Sequence, residues 1–181
     1  IRHSDLRPGV DKRATIWTAR LCGFLSRWIP SRILCNSHHA AGLHEKLGYE
    51  RARIEVVPNG IDVEKFHPRP DAGASVRAEL GISETIRLVG LVARFDPQKD
   101  HRRFIAAANI VAHRHRDVHF LLCGGGVDGE NQDLARWIDD TAIADRFHLL
   151  GVRDDVPRLT AALDLSVSSS AHGEGFSNII A

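Results

Sequence analysis

Apolar and polar positions follow two periodicities along the chain. In the first third, apolar side chains recur at helical spacing from Trp17 to Trp28, and arginines recur every seven residues on another face of the same segment. This pattern predicts a helix over 13–29 that ends at Pro30. One interpretation places its apolar side in a domain core. The alternative is a basic amphipathic helix that rests on an anionic membrane surface.

Short apolar runs alternate with helical segments through the rest of the chain. Strands are predicted at 32–36, 54–58, 86–93, 118–123, 147–150 and 164–168. Helices are predicted at 37–47, 101–115, 130–143 and 156–163, with another beginning near Ser177. Such alternation predicts an α/β fold with parallel sheets covered on both faces. Right-handed crossovers then place the loops that follow the strands along one edge, where ligands bind.

The composition changes between the second predicted strand and the third. Proline and glycine interrupt the pattern from Phe66 to Ser83, with room for a short helix at 74–80. We therefore expect a first domain over 1–66, a linker over 67–83 and a second domain over 84–181.

Overall composition narrows the class of protein. A chain of 181 residues suits one domain, or one whole domain and part of another. The formal net charge of +1 argues against a dedicated nucleic-acid binder. Three widely separated cysteines argue against a disulfide scaffold and indicate a reducing compartment, such as the cytoplasm. The chain contains no methionine and starts at Ile1, so we expect a processed chain or a piece of a longer one.

The loop after the strand at 86–93 carries two cations just before a predicted helix. Arg94 can bind two phosphate oxygens at once, and Lys99 adds a mobile point charge. A helix N-terminus also presents unpaired N–H groups and the positive end of the helix dipole. This loop therefore predicts a diphosphate site.

The loop at 124–129 matches the GxGxxG pattern of dinucleotide-binding proteins. However, acidic residues crowd the helix start where a pyrophosphate would lie: Asp128, Glu130 and Asp133. The fingerprint also belongs on the first strand of its unit, and here a strand and a helix precede it. A dinucleotide-dependent oxidoreductase is thus a disfavoured alternative. We expect Gly124, Gly125 and Gly126 to form a tight turn that lets another loop or a ligand approach.

Two later loops carry further candidates. In the loop at 151–157, Asp154 or Asp155 is expected to cap the next helix, and a base could lie against the backbone of Val152 and Arg153. At 168–181, an acid lies between two glycines where a strand turns into a helix. Glu174 can accept hydrogen bonds from sugar hydroxyls, and the residues beside it are expected to line the site: His172, Gly173 and Gly175.

The histidines do not predict a metal site. His113, His115 and His119 lie within seven residues, but the two arginines between them would repel a metal ion. The run also lies at a predicted helix C-terminus, where cations complement the helix dipole. We expect neither a metal nor a cofactor.

Taken in order, these motifs resemble one known family. Pro58-Asn59-Gly60-Ile61-Asp62, then Arg94 and Lys99, then the serine-rich 168–170 leading into Glu174-Gly175-Phe176, are similar in order and spacing to motifs of the group 1 (family 4) retaining glycosyltransferases. The resemblance covers nearly the whole chain. It implies the GT-B fold, in which two Rossmann-like domains with parallel sheets hold a nucleotide-sugar between them. Both domains would be incomplete here.

The resemblance also implies roles for particular residues. The stretch 58–62 would end the acceptor-side domain. Arg94 and Lys99 match the residues that hold the donor diphosphate, with help from backbone N–H groups of Phe176, Ser177 and Asn178. Glu174 matches the first of two glutamates in the family signature, and contacts the transferred sugar. The second, which binds the donor ribose, would be residue 182, so half of the signature is absent.

The implied activity is transfer of a sugar from a nucleotide-sugar, most often UDP-linked, to a saccharide or lipid-linked acceptor, with no metal required. Two alternatives stay open, a non-catalytic nucleotide-sugar-binding relative and a sugar epimerase on the same fold. We expect a cytoplasmic protein, with residues 13–29 as its contact with the inner face of the plasma membrane under the surface-helix interpretation. The piece by itself is expected to be inactive.

Overall fold

The computed structural model describes residues 6, 12–172, 174 and 176–180. Packing divides the chain into two compact units, one of residues 1–60 with 172–178 and the other of residues 61–171 with 179–181. The observed division falls after Gly60, whereas the composition suggested a linker over 67–83. The difference arises because this stretch contains a helix that packs within the second unit.

The first unit contains two helices and two short parallel strands. Its elements are α1 (Arg13–Leu25), β1 (Ile33–Cys35), α2 (His38–Lys46) and β2 (Ile54–Val56), with a single 3-10 turn at Arg51–Arg53 before β2. Ile33 is opposite Ile54 in the ladder. The small core consists of Cys35, Ala40 and Ala41, packed against the side chains of β2.

Local signals explain where α2 begins and ends. The hydroxyl of Ser37 accepts a hydrogen bond from the backbone N–H of Ala40 at 3.1 Å, as an N-cap residue should. Gly48 follows the helix with a φ of 95°, a conformation that glycine adopts without strain. The observed helix lies within one residue, at each end, of the helix predicted at 37–47.

The C-terminal end of α1 is held by the turn that follows α2. Ser26 is buried, and its hydroxyl accepts a hydrogen bond from Glu50 N at 2.8 Å. Gly23 packs so closely that an added Cβ would lie 2.9 Å from the Leu47 carbonyl oxygen. This end of the helix is therefore fixed by close packing against Leu47 and Tyr49 and by the hydrogen bond between Ser26 and Glu50.

The apolar side of α1 is exposed. Trp17 is 70% exposed, Leu21 and Phe24 are both 57% exposed, and Trp28 in the turn after the helix is 62% exposed. The helix also ends at Leu25 instead of reaching 29. The interpretation that places this apolar side in a core therefore does not hold within the described part of the chain. None of the helices among the described residues is long and apolar enough to cross a bilayer.

The second unit is the predicted alternation of strands and helices. Its elements are α3 (Pro70–Leu80), β3 (Arg87–Val92), α4 (His101–Arg114), β4 (Val118–Cys123), α5 (Gln132–Asp139), β5 (Phe147–Leu149), α6 (Val156–Ala161) and β6 (Leu165–Ser166), with 3-10 turns at Pro97–Lys99 and Ala144–Arg146. The four strands are parallel and lie in the order β5-β4-β3-β6. The predicted α/β class is confirmed.

Helices cover both faces of this sheet. On one face, α4 and α5 pack against the sheet through Phe104, Phe120 and Leu134. On the other, α3 and α6 pack against it through Val76, Leu121 and Leu159. All six side chains are buried, and each contributes about 1.5–3 kcal/mol of hydrophobic stabilisation.

Helix α3 contains the short helix predicted at 74–80 and begins earlier, at Pro70. Pro70 lies in its first turn, and Gly81 ends it in the left-handed conformation at a φ of 66°. Proline and glycine at these positions mark the start and the end of a helix, but the same two residue types are also common in linkers. The buried Val76 between them distinguishes the helix from a linker.

Candidate functional site

The strand order of the second unit shows where a ligand would bind. Chain connections run from β3 outward through β4 to β5 on one side, and β6 pairs with β3 on the other. In open α/β sheets such a reversal creates a crevice at the carboxyl ends of the strands, and ligands bind there. The loops after β3 and β6 begin at this point.

The loop after β3 is held by its neighbour and by its own cap. Phe95 N donates to Gly125 O at 2.8 Å, which ties this loop to the one after β4. Asp96 caps the 3-10 turn at Pro97–Lys99 by accepting from Gln98 N at 2.9 Å. The backbone around the predicted diphosphate loop is thus fixed before any ligand arrives.

Asp96 also orients Arg94. Arg94 Nε lies 3.2 Å from Asp96 Oδ2, and the arginine side chain is 62% exposed. The Gln98 amide hydrogen bond, followed by the hydrogen bond and charge of Arg94, holds the pKa of Asp96 below its usual range. Asp96 therefore stays ionised and keeps the exposed guanidinium at this edge of the sheet.

The N-terminus of α4 is capped by the protein itself. Asp100 has left-handed backbone angles at a φ of 48°, and its carboxylate accepts from Arg103 N at 3.2 Å. We had expected this helix end to bind an anion through its free N–H groups. The Asp100 carboxylate already occupies that position, so Arg94 and Lys99 are left as the groups that could attract a phosphate.

The serine-rich segment after β6 binds directly to the turn that carries Lys99. Ser169 Oγ donates to Lys99 O at 2.6 Å, and Ala171 N donates to Gln98 O at 2.9 Å. The loops that follow β3 and β6 therefore form one hydrogen-bonded surface.

The glycines at 124–126 allow this loop to approach the one after β3. A Cβ added to Gly124 would lie 2.8 Å from Arg94 N and nearer still to the Ala93 carbonyl. Gly124 also has a φ of 150°, which L side chains rarely adopt. Gly124 N donates to Gly151 O, and Gly151 N donates to Val127 O, both at 2.8 Å. The loops after β3, β4 and β5 are thus joined backbone to backbone.

Arg153 is locked by carboxylates, whereas Val152 beside it is 75% exposed. Arg153 bonds to Asp155 at 2.8 Å and to Glu79 at 2.7 Å, and Arg158 shares both carboxylates. The hydrogen bond from Arg153 is the main reason that the pKa of Asp155 lies well below its usual range. Asp155 occupies the predicted N-cap position of α6, but its carboxylate faces these arginines and makes no capping hydrogen bond.

Residues 172–178 belong to the first unit. His172, Glu174 and Ser177 are partly buried there, Phe176 is at the margin of exposure, and Gly173 and Gly175 lie outside the described residues. Asn178 Oδ1 accepts a hydrogen bond from Asn59 Nδ2 at 2.7 Å. Residues 178–180 form a turn, where the sequence predicted the start of a helix.

The structure therefore brings together Arg94, Lys99, the 124–126 glycines, Val152 and Arg153 at one edge of the sheet in the second unit. Sequence reasoning missed two supporting carboxylates. Asp96 could have been found, since Asp before Pro at a strand end is a turn signal. Glu79 could not, because it lies 74 positions from its partner Arg153. Among the residues described, no cluster of three or more His, Cys, Asp or Glu side chains could hold a metal ion.

Comparisons with known proteins show the family of this chain. The family described as "Glycosyl transferases group 1" matches residues 86–181, and "Glycosyltransferase Family 4" matches residues 2–65. The chain belongs to the group 1 glycosyltransferases.

The relatives include enzymes with different substrates. The chain is 32% identical over 130 residues to an Escherichia coli UDP-Gal:alpha-D-GlcNAc-diphosphoundecaprenol alpha-1,3-galactosyltransferase, which covers 70% of this chain and 33% of that protein. It is also 32% identical over 151 residues to the D-inositol 3-phosphate glycosyltransferase of Mycolicibacterium gilvum, covering 80% of this chain and 33% of that protein. The chain therefore spans about a third of the length of these curated relatives.

A solved structure shares the fold. Anabaena Alr3699/HepE in complex with UDP-glucose matches with a TM-score of 0.80 at 26% identity, over 92% of this chain and 45% of that chain. The GT-B fold expected from the motifs is thereby confirmed.

We predict that Gly124→Ala loosens the candidate site. The added methyl group cannot fit against the Ala93–Arg94 backbone, so the two loops must separate, at a cost of about 2–4 kcal/mol in the free energy of unfolding. Chemical denaturation measures this loss. Gly129→Ala is the matched control, because a Cβ at that position meets nothing within 4 Å. Equal stability of the two variants would contradict the close approach.

Proposed function

We propose that this chain forms the donor-binding part of a retaining glycosyltransferase, which moves a hexose from a UDP-sugar to a saccharide or lipid-linked acceptor in glycan biosynthesis. The observation that carries the proposal is the position of Arg94 and Lys99 at the switch point of the β5-β4-β3-β6 sheet. The complexes of HepE with UDP-glucose and with UDP support a uridine nucleotide as the donor.

Arg94 and Lys99 neutralise the negative charge that grows on the leaving diphosphate. Stabilising charge that develops in the transition state is commonly the largest electrostatic contribution to a rate, and it is most effective when the groups are already in place. Asp96 holds the Arg94 guanidinium at 3.2 Å, and the turn that carries Lys99 is bonded to Ser169. Little reorganisation is needed when the donor binds.

The remaining donor contacts are assigned from the family resemblance. Glu174 accepts hydrogen bonds from hydroxyls of the transferred sugar, and backbone N–H groups of 176–178 donate to the diphosphate. The base lies against the backbone of Val152 and Arg153. The Arg153 side chain is already bonded to Glu79 and Asp155, so it holds that backbone in place rather than binding the base.

The reaction keeps the configuration of the sugar. The bond from the anomeric carbon to the acceptor oxygen forms on the face from which the phosphate oxygen departs. The leaving phosphate takes the proton of the acceptor hydroxyl, so UDP carries it away. The two cations supply the charge stabilisation, and this scheme calls for no metal ion.

The alternatives have less support. The hypothesis of a dinucleotide-dependent oxidoreductase was based on the GxGxxG match at 124–129. Gly124 and Gly126 pack against the loop after β3, so these glycines are explained without a dinucleotide. A sugar epimerase and a non-catalytic nucleotide-sugar-binding protein would share the same donor contacts, and no contact among the described residues favours either.

We expect the 181-residue chain to bind UDP in isothermal titration calorimetry, and Arg94→Ala with Lys99→Ala to weaken that binding by about 2–5 kcal/mol. The reason is the loss of two charge-assisted phosphate contacts. A UDP affinity equal to that of the unaltered chain would falsify the diphosphate assignment, and no binding by the unaltered chain would contradict the proposed function.

The matched control is Arg114→Ala with Arg116→Ala. It removes two exposed cations at the opposite end of α4 and leaves the net charge equal to that of the test variant. A similar loss of affinity in this control would mean that UDP affinity depends on the overall charge of the chain and not on Arg94 and Lys99 in particular.

We also propose that α1 makes peripheral contact with an anionic membrane from the cytoplasmic side. The exposed Trp17, Leu21 and Phe24 form the apolar side of α1 beside Arg20, and the exposed Arg27 and Trp28 lie in the turn that follows the helix. Apolar side chains with flanking arginines suit the boundary between lipid headgroups and acyl chains. A lipid-linked acceptor would then lie in the same membrane that α1 contacts.

Flotation with liposomes tests this contact. We expect the chain to float with vesicles that contain phosphatidylglycerol and to remain unbound with phosphatidylcholine alone. Trp17→Ser with Trp28→Ser should abolish flotation, whereas Val63→Ser, an exposed apolar residue outside α1, should not. Equal behaviour with both kinds of vesicle would exclude an anionic surface contact.

A further inference from the structure

A pocket of about 320 Å³ lies within the second unit, where the loop after β3 and the start of α4 face helix α5. Three rings line it. The ring centroid of Phe95 lies 5.4 Å from that of His101 and 5.7 Å from that of Trp137. The volume is at the lower end of the range of small-molecule pockets, roughly 300–1,000 Å³, so it suits a ligand of one or two rings.

His101 brings an unsatisfied polar group to this pocket. The residue is 2% exposed, and neither ring nitrogen has a hydrogen-bond partner of normal geometry among the described residues. The backbone of Ala93 lies near the ring and can serve at most one of the two nitrogens. Burial lowers the pKa of His101, so at pH 7 the ring is neutral, with one nitrogen as donor and the other as acceptor.

A ligand hydroxyl would satisfy this ring. A buried polar group without a partner costs free energy, and native structures rarely leave one in that state. A hydroxyl can both donate and accept, so it matches whichever nitrogen of His101 is directed at the ligand. The pocket therefore favours a ligand with hydroxyl groups over a purely apolar one.

The charged groups around the pocket do not favour an ionic ligand. Three carboxylates line it, and each forms an ion pair of 2.9–3.3 Å with an arginine: Asp96 with Arg94, Asp100 with Arg103, and Asp133 with Arg136. An organic cation would compete with these arginines, and an anion would meet three carboxylates. The carboxylates keep further lone pairs that can accept from ligand hydroxyls.

The aromatic rings supply an apolar surface beside these acceptors. Phe95 and Trp137 are partly buried, so part of each ring remains at the pocket. Asp133 and Trp137 are four positions apart on α5 and share one face of the helix, which places an acceptor next to a ring. This pairing suits a pyranose, since its C–H face packs on a ring while the hydroxyls at its edge donate and accept hydrogen bonds.

We propose that the pocket of Phe95, His101, Asp133 and Trp137 is a carbohydrate-binding site for a neutral saccharide. A saccharide hydroxyl bonds to the His101 ring, Asp133 accepts from a neighbouring hydroxyl, and the two other rings pack against the C–H face. This inference goes beyond the proposed function, and it does not depend on where UDP binds.

Titration of the isotope-labelled 181-residue chain with maltose and, in parallel, with cellobiose tests the site by NMR. We expect saturable shifts of the Trp137 indole N–H and of the Asp100 and His101 amides with at least one of the two disaccharides. The indoles of Trp17 and Trp28 lie in the first unit or its helix and should not move. Glycerol is the control ligand, because it has hydroxyls but no ring face, and it should leave the Trp137 indole unmoved.

Two variants test the assigned contacts. His101→Phe keeps a ring and removes both nitrogens, so disaccharide affinity should fall by about 3- to 10-fold, the range that corresponds to one neutral hydrogen bond. Its thermal midpoint should be equal or higher, because the unsatisfied buried group is gone. Asp133→Ala should weaken binding at least as much. Asp139→Ala is the matched control, since it removes an exposed carboxylate from the same helix outside the pocket.

Several outcomes would overturn the proposal. These are the absence of saturable shifts with both disaccharides, and unchanged affinity in His101→Phe and Asp133→Ala. Displacement of the bound disaccharide by uridine or UDP would assign the pocket to a nucleotide, and an equal response of the Trp137 indole to tetramethylammonium would make it a cation site. If the unaltered chain binds a disaccharide here but does not bind UDP, the proposed function fails and this inference stands.

Discussion

The parallel pairing of β3 with β4 on one side and β6 on the other is the constraint on which the candidate site depends. β6 has only two residues, so its own ladder hydrogen bonds hold it weakly on the sheet. Asp164 adds further hydrogen bonds, because its carboxylate accepts from Leu88 N at 2.7 Å and from Arg77 at 2.6 Å. Backbone bonds from Asp164 N to Leu88 O and from Val167 N to Gly90 O complete the attachment. Without it, the loop after β6 would not reach the turn that carries Lys99.

At the edge of the sheet, backbone groups and side chains have different roles. Backbone hydrogen bonds join the loops after β3, β4, β5 and β6 into one surface. Carboxylates then fix the cations: Asp96 holds Arg94, while Glu79 and Asp155 hold Arg153. Of these two arginines, Arg94 at the switch point is 62% exposed, whereas Arg153 is 26% exposed. Such a surface binds a diphosphate with little loss of conformational freedom, which favours both affinity and charge stabilisation during reaction.

Local patterns predicted much of the second unit, because its strands are short apolar runs and its helices are periodic. The strand at Val118–Cys123 was predicted to the residue, and β3 and α4 to within one residue at each end. Helix α3 was underestimated, since its proline and glycine signals also fit a linker. The motif order located Arg94 and Lys99. It could not reveal Glu79 or the Asn59–Asn178 bond, because such contacts depend on tertiary packing between distant positions.

The central claim is that a diphosphate binds where the loops after β3 and β6 meet. Titration of the isotope-labelled 181-residue chain with UDP, followed by amide chemical shifts, tests it most directly. We predict the largest shifts at Arg94, Lys99, Gly125 and Ser169, with smaller ones at Val152. A nearby pocket of about 320 Å³ is lined by Phe95, His101 and Trp137. The chemical shift of the Trp137 indole N–H therefore reports whether UDP binds in this pocket instead. Shifts centred on that indole, with Lys99 and Ser169 unmoved, would contradict the account.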